Sequence, residues 1–227
     1  MLKSLKSGVL QELILIKEPS FGEQFDKLLE ALSSPHCALV KLRIDNCPWP
    51  KERQVSDLLE ALTKAAEDST LPPQLRTLEM FDMETGGGEL PARFFEVCGP
   101  KLEKLGLGRL GLTGCIPGEI GKLNHVKSII LHDNEMSGEL PAELGGCVAL
   151  RKLIVFGNKF SGTLPEELQA CAELEDLRIR PKNDDLSDPP EDSPFFEPTA
   201  ISRGGREEKK TLKVRACQLV GRTSTYM

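Results

Sequence analysis

The chain has 227 residues, of which 39% are hydrophobic and 28% charged, with 35 Asp and Glu against 29 Lys and Arg. That size suffices to bury a substantial core. The formal charge of −6 argues against nucleic acid as the main partner, because phosphate binding calls for a basic surface. No apolar run approaches the roughly 18–20 residues of a membrane-spanning helix, and the start, with Gln11 and Glu12 breaking its apolar stretch, does not read as a secretory leader. A cytoplasmic location is the expectation.

Leucine is the unusual residue. It occurs 35 times, 32 of them before position 181. A triplet of the form Leu-x-x-Leu-x-Leu recurs as Leu10, Leu13, Leu15, then Leu39, Leu42, Ile44, then Leu75, Leu78, Met80, and then Leu102, Leu105, Leu107. It continues as Val126, Ile129, Leu131, then Leu150, Leu153, Val155, and finally Leu174, Leu177, Ile179. The first positions are spaced by 29, 36, 27, 24, 24 and 24 residues. Such self-similarity is the mark of a solenoid. Each triplet reads as a short strand whose fourth and sixth positions face inward and whose third, fifth and seventh face outward. No coil can cover its leucines alone, so successive coils supply the core. Asn134 and Asn158 stand at the ninth position of their coils, where an amide can bond the turn backbone of a neighbour. Leu110 and Lys182 occupy the same place in other coils, so this ladder is short.

The return segments differ along the chain. Residues 20–32 read as an amphipathic helix, with Ser20 and Glu23 at capping-box spacing. Residues 54–66 read as a second helix with Val55, Leu58, Leu59 and Leu62 on one face. The later coils carry Leu112-Thr-Gly-Cys-Ile-Pro, Met136-Ser-Gly-Glu-Leu-Pro and Phe160-Ser-Gly-Thr-Leu-Pro. Gly and Pro at fixed places favour an extended path, followed by a single turn opened by Pro.

With these motifs the chain resembles the leucine-rich repeat proteins over roughly residues 10–180. The 24-residue coils from Leu102 onward resemble the plant-type subclass, most fully over Val126 to Pro141 and Leu150 to Pro165. The longer coils resemble the helical, ribonuclease-inhibitor-like subclass. The resemblance implies an α/β solenoid, a curved superhelix with a concave parallel β-sheet of about seven strands, and a protein-recognition surface on that sheet. The chain departs from plant-type receptors in showing no evident leader, membrane span or paired-cysteine cap.

Two regions are expected, a solenoid over residues 1–180 and a charged, loosely docked or disordered tail over 181–227. Lys182 to Glu197 carries six acidic residues against one basic, and residues 203–227 carry seven basic against two acidic. Leu186, Phe195 and Phe196 are expected to fold back over the open end of the last coil.

The chemistry-bearing residues fit the repeat. Seven cysteines form no CxxC pair, and Cys147, Cys171, Cys98 and Cys37 fall two to four residues before a coil start, where small buried apolar groups would stack. His36, His125 and His132 show no metal-ligand spacing, and the Asp133-Asn-Glu-Met-Ser-Gly run lacks the acidic twelfth residue of a calcium loop. The expectation is therefore no catalytic, cofactor-binding or metal-binding residue, and no cofactor.

The outward positions define the candidate site. Between the N-terminal strand's Glu12, Ile14 and Ile16 and the C-terminal strand's Asp176, Arg178 and Arg180, adjacent strands bring Ile130, His132, Ile154 and Phe156 into one apolar patch. Phe81 lies across a strip that Gly106 and Gly108 leave bare, and Arg178 and Arg180 form the far edge. The function expected is a non-catalytic protein–protein interaction module, an adaptor or regulator binding a protein or peptide on the concave sheet. The alternative is the ligand-recognition portion of a truncated leucine-rich repeat signalling receptor.

Overall fold

The computed structural model describes residues 6–68, 74–83 and 86–179, with three short strand segments further on. Seven parallel strands form one sheet: β1 (Glu12–Ile16), β2 (Lys41–Asp45), β3 (Thr77–Phe81), β4 (Lys104–Gly108), β5 (Ser128–Ile130), β7 (Lys152–Ile154) and β9 (Asp176–Arg178). They pair in chain order, with Leu13, Leu42, Leu78, Leu105, Ile129, Leu153 and Leu177 abreast. That register is the repeat register, so every coil contributes the same position to the same row. The inward strand side chains are buried apart from the half-buried Leu15, and with the return segments they form one continuous core from Leu13 to Ile179.

The length of each coil decides what its return segment can be. The 29- and 36-residue coils accommodate α1 (Phe21–Leu32) and α2 (Val55–Asp68), each burying one face. Phe21, Phe25 and Trp49 meet between them at centroid distances of 4.8 to 5.7 Å, and the Trp49 indole N–H donates to the Arg53 carbonyl. A short α3 (Ala92–Val97) follows. In the 24-residue coils there is room only for single 3-10 turns over Gly118–Lys122, Ala142–Gly146 and Glu166–Ala170, each preceded by Pro. The helices and turns stack on one another in chain order.

The capping box does not form at α1. Ser20 caps no backbone N–H; its hydroxyl donates to Glu18 Oε1 instead, and Gln24 donates to Ser20 Oγ. A carboxylate two residues upstream is the stronger acceptor for the hydroxyl. At α2, in contrast, the expected apolar face is buried in full.

The extended path through Gly138 and Gly162 builds a second sheet. β6 (Ser137–Glu139) and β8 (Lys159–Thr163) pair in parallel, and β10 (Leu186–Ser187) joins β8 at Gly162 and Thr163. Gly114, Gly138 and Gly162 all hold φ of +73° to +81°, which an L side chain rarely adopts. β11 (Phe196–Pro198) pairs antiparallel with β12 (Leu212–Val214). Phe195 lies outside the described residues; on the expected covering of the last coil bear the return of the chain at Leu186 to the second sheet and the contact of β12 with β9.

Candidate binding face

A second column, just beyond the strands, sets the shape of the face. The eighth residue of six successive coils, Lys17, Asn46, Asp82, Arg109, Asp133 and Gly157, is left-handed, with φ between +50° and +71°. Each left-handed residue turns the chain sharply off the sheet, which leaves the seventh-position side chains at the rim of the concave surface. Asn and Asp tolerate this region, while Lys17 and Arg109 adopt it at a local cost. Arg109 offsets that cost by bridging Asp82 and Asp133 at 3.1 and 3.3 Å, tying three coils together.

The ninth position carries the amides. Asn134 Oδ1 accepts from the Leu110 and Leu112 amides at 2.9 and 3.1 Å, and its Nδ2 donates to the carbonyls of Leu107, Leu131 and His132. Asn158 repeats the arrangement one coil later, accepting from Met136 and donating to Leu131, Val155 and Phe156. Both are buried. The turn that follows the sheet is thus fixed from inside, and the rim residues His132 and Phe156 are fixed with it.

On this frame Phe81, His132 and Phe156 form a stack. Phe81 and His132 have centroids 6.2 Å apart and planes 15° off parallel, and His132 and Phe156 are 5.1 Å apart at 8°. Phe81 ends β3 and His132 follows β5, with β4 between them, so they can approach only because Gly106 and Gly108 have no side chains. The sequence left that strip bare. Instead both glycines are buried, roofed by the Phe81 and His132 rings. A missing Cβ creates space that neighbouring large rings fill, since an empty trough would forfeit dispersion contacts.

Ile130 is partly exposed beside the stack, while Ile154 is only 7% exposed and so is not part of an accessible patch. Its central place in the row, between Ile130 and Arg178, encloses it. Arg178 is exposed and grips Asp176 with two bonds at 2.8 and 3.2 Å; Lys152 reaches the same carboxylate at 3.3 Å. Arg180 lies outside the described residues. At the other end, Ile14 and Ile16 are 46% and 56% exposed, which alternation along β1 anticipates but which the sequence reading did not place in the site. Asp45 accepts from Arg43 through Oδ2 at 2.7 Å, while its buried Oδ1 has no hydrogen-bond partner among the described residues.

The thiols lie in the core. Burial pushes Cys98 and Cys147 up to about 12 and Cys171 to about 11. Cys147 and Cys171 donate weakly to the carbonyls of Ile120 and Cys147, at 3.3 Å each. Cys37 is half-buried, Cys115 is exposed, and Cys217 lies outside the described residues. Among the described residues no group of three or more His, Cys, Asp or Glu could hold a metal ion, and no helix is long and apolar enough to cross a membrane.

The family profile described as Leucine Rich Repeat matches residues 149–171. No curated protein matches with significance. Among solved structures, the PEPR1–AtPEP1 complex superposes with a TM-score of 0.51 at 24% identity, over 69% of this chain and 19% of that one. The Arabidopsis receptor kinase HAESA, in complex with the peptide hormone IDA and the co-receptor SERK1, gives 0.54 at 23%, over 80% and 26%. A plant ice-binding protein gives 0.52 at 21%, over 74% and 47%. The chain thus spans between a fifth and a half of the length of these relatives. At such identities the likeness is one of fold. With the seven-fold repeat register and the matched profile, it gives the chain the leucine-rich repeat fold.

Proposed function

We propose that the chain recognises a protein or peptide through its concave sheet and performs no chemistry of its own. The observation that carries this reading is the Phe81–His132–Phe156 stack, rigid, partly exposed and flanked by Ile130. A solenoid core needs none of these outward side chains. Ordered aromatic groups at a concave surface are what protein-recognition hot spots use. The histidine and thiols are already accounted for, His132 by the stack and Cys98, Cys147 and Cys171 by the core. Among the solved structures that share the fold, HAESA is in complex with a peptide hormone, which supports peptide recognition here.

A second reading, the recognition portion of a larger signalling receptor, is favoured by the small share of the relatives' length that the chain spans. It would place the chain with a receptor kinase such as HAESA and not in the cytoplasm. In both readings residues 1–180 are the recognition unit and 181–227 an appendage.

The test is capture from source-cell lysate with wild type, Ile130→Glu/Phe156→Glu, and Glu143→Arg on the 3-10 arm as a control. Circular dichroism checks folding. Proteins retained by the control and lost by the double variant place binding on the concave face. Equal capture by all three would move the site elsewhere.

A further inference from the structure

On the C-terminal half of the concave sheet the charges are not balanced. The third-position row carries Lys104 and Lys152 on either side of Ser128, and the fifth-position row ends in Arg178. On β4, β5, β7 and β9 one concave carboxylate, Asp176, faces these three cations, 5% exposed and engaged by both Lys152 and Arg178, while Glu79 on the neighbouring β3 lies 4.0 Å from Arg43. Lys104 is exposed and makes no ion pair among the described residues. At the rim, Asp133 is bridged by Arg109 and contacts His132 Nδ1 at 3.2 Å, so that acid is partnered. The surface is therefore locally cationic on a chain of net charge −6.

The rows are ordered. Lys104 and Lys152 occupy the third position, Ile130 the fifth, and His132 and Phe156 the seventh. Along a strand these rows lie about 6.8 Å apart, the same step as between same-face side chains of an extended peptide. We infer that the partner is an extended acidic–apolar segment, in which an Asp or Glu meets Lys104 and Lys152. Apolar side chains two and four residues further on then meet Ile130 and the His132–Phe156 stack. The inference rests on the concave-face reading and adds the chemistry of what binds there. The cations attract and orient the segment, and the apolar rows hold it.

The probe is a phage-displayed library of random 12-residue peptides selected on the full chain, with the enriched sequences synthesised and titrated. The expected result is enrichment of Asp/Glu-x-apolar-x-apolar sequences of net negative charge. Their binding should weaken at least tenfold in Lys104→Glu/Lys152→Glu and weaken with added salt. Neutral or basic enriched peptides would overturn the inference, as would binding unchanged within twofold in the lysine variant but lost in Phe156→Glu; both leave the concave-face reading standing. Binding insensitive to both variants would overturn the two together. No enrichment at all would reject a linear acidic segment, and the capture experiment would then decide the concave face alone.

Discussion

The Phe81 ring lies across Gly106, so close that a Cβ on Gly106 would stand 2.6 Å from the ring's Cζ. Gly108 is enclosed in the same way, with a Cβ falling 2.9 Å from the His132 imidazole and 3.0 Å from Phe81. The two glycines are therefore the seat of the aromatic stack, and the stack exists because β4 lacks side chains at its fifth and seventh positions.

Gly106→Ala should displace Phe81 while leaving the fold intact, since the obstructing atoms are the far end of a side chain. Stability should fall by about 1 kcal/mol or less. The His132 Hε1 resonance should move as it loses the ring current of a neighbour. An unshifted resonance would show that Phe81 and His132 do not stack in solution.

Asn134→Ala removes five hydrogen bonds from buried backbone groups, two to amides and three to carbonyls. The expected loss is about 2–4 kcal/mol, since the Leu110 and Leu112 amides lose their acceptor without gaining water, while the Leu131 and His132 carbonyls keep Asn158 Nδ2 and the Arg109 amide as donors. Urea unfolding measures the loss, and hydrogen exchange should locate it at Leu110 and Leu112. A loss under about 1 kcal/mol would mean that water replaces the amide.

Lys17 holds φ +52° with no glycine or Asx advantage. Lys17→Val, β-branched at a left-handed position, should cost about 1–2 kcal/mol, and Lys17→Asn should be neutral or slightly stabilising. Equal midpoints for the two variants in chemical unfolding would indicate that the turn after β1 relaxes out of this conformation.

The buried thiols make stability depend on alkaline pH. Cys98, Cys147 and Cys171 stay protonated in the fold up to about 11–12, whereas an unfolded thiol loses its proton near 9. The folded chain therefore binds more protons above pH 9, and stability falls as pH rises from there. The slope is up to about 1.4 kcal/mol per thiol per pH unit. Unfolding midpoints at pH 8 and 10.5 should differ less in Cys147→Ala/Cys171→Ala than in wild type. An identical difference would show that other groups set the alkaline limit. In the same protein Cys115 should alkylate rapidly at pH 8, while these three react only on unfolding.

The repeat itself was legible because hydrophobic spacing is a local property. Leu102, Val126, Leu150 and Leu174 at 24-residue intervals fix which residues pair and which face inward, and the observed register follows them without a slip. The face of α2 was readable for the same reason. The capping box at Ser20 was not, because its geometry also allows a competing acceptor, Glu18, whose reach depends on the path of the chain before the helix. Nor was the left-handed column, since only one of its six residues is glycine and Lys17 and Arg109 lack the Asx chemistry that would mark it.

The sequence by itself determined the coil, its register, its core and the set of side chains that point outward, because alternation along a strand needs no knowledge of neighbours. Only the tertiary structure decided which of those outward side chains form a surface. Packing between coils roofed Gly106 and Gly108 with rings from two other strands, enclosed Ile154, and left Ile14 and Ile16 open. Those outcomes depend on side-chain volumes across three or four adjacent coils, tens of residues apart, where a missing methyl on one strand is filled from the next.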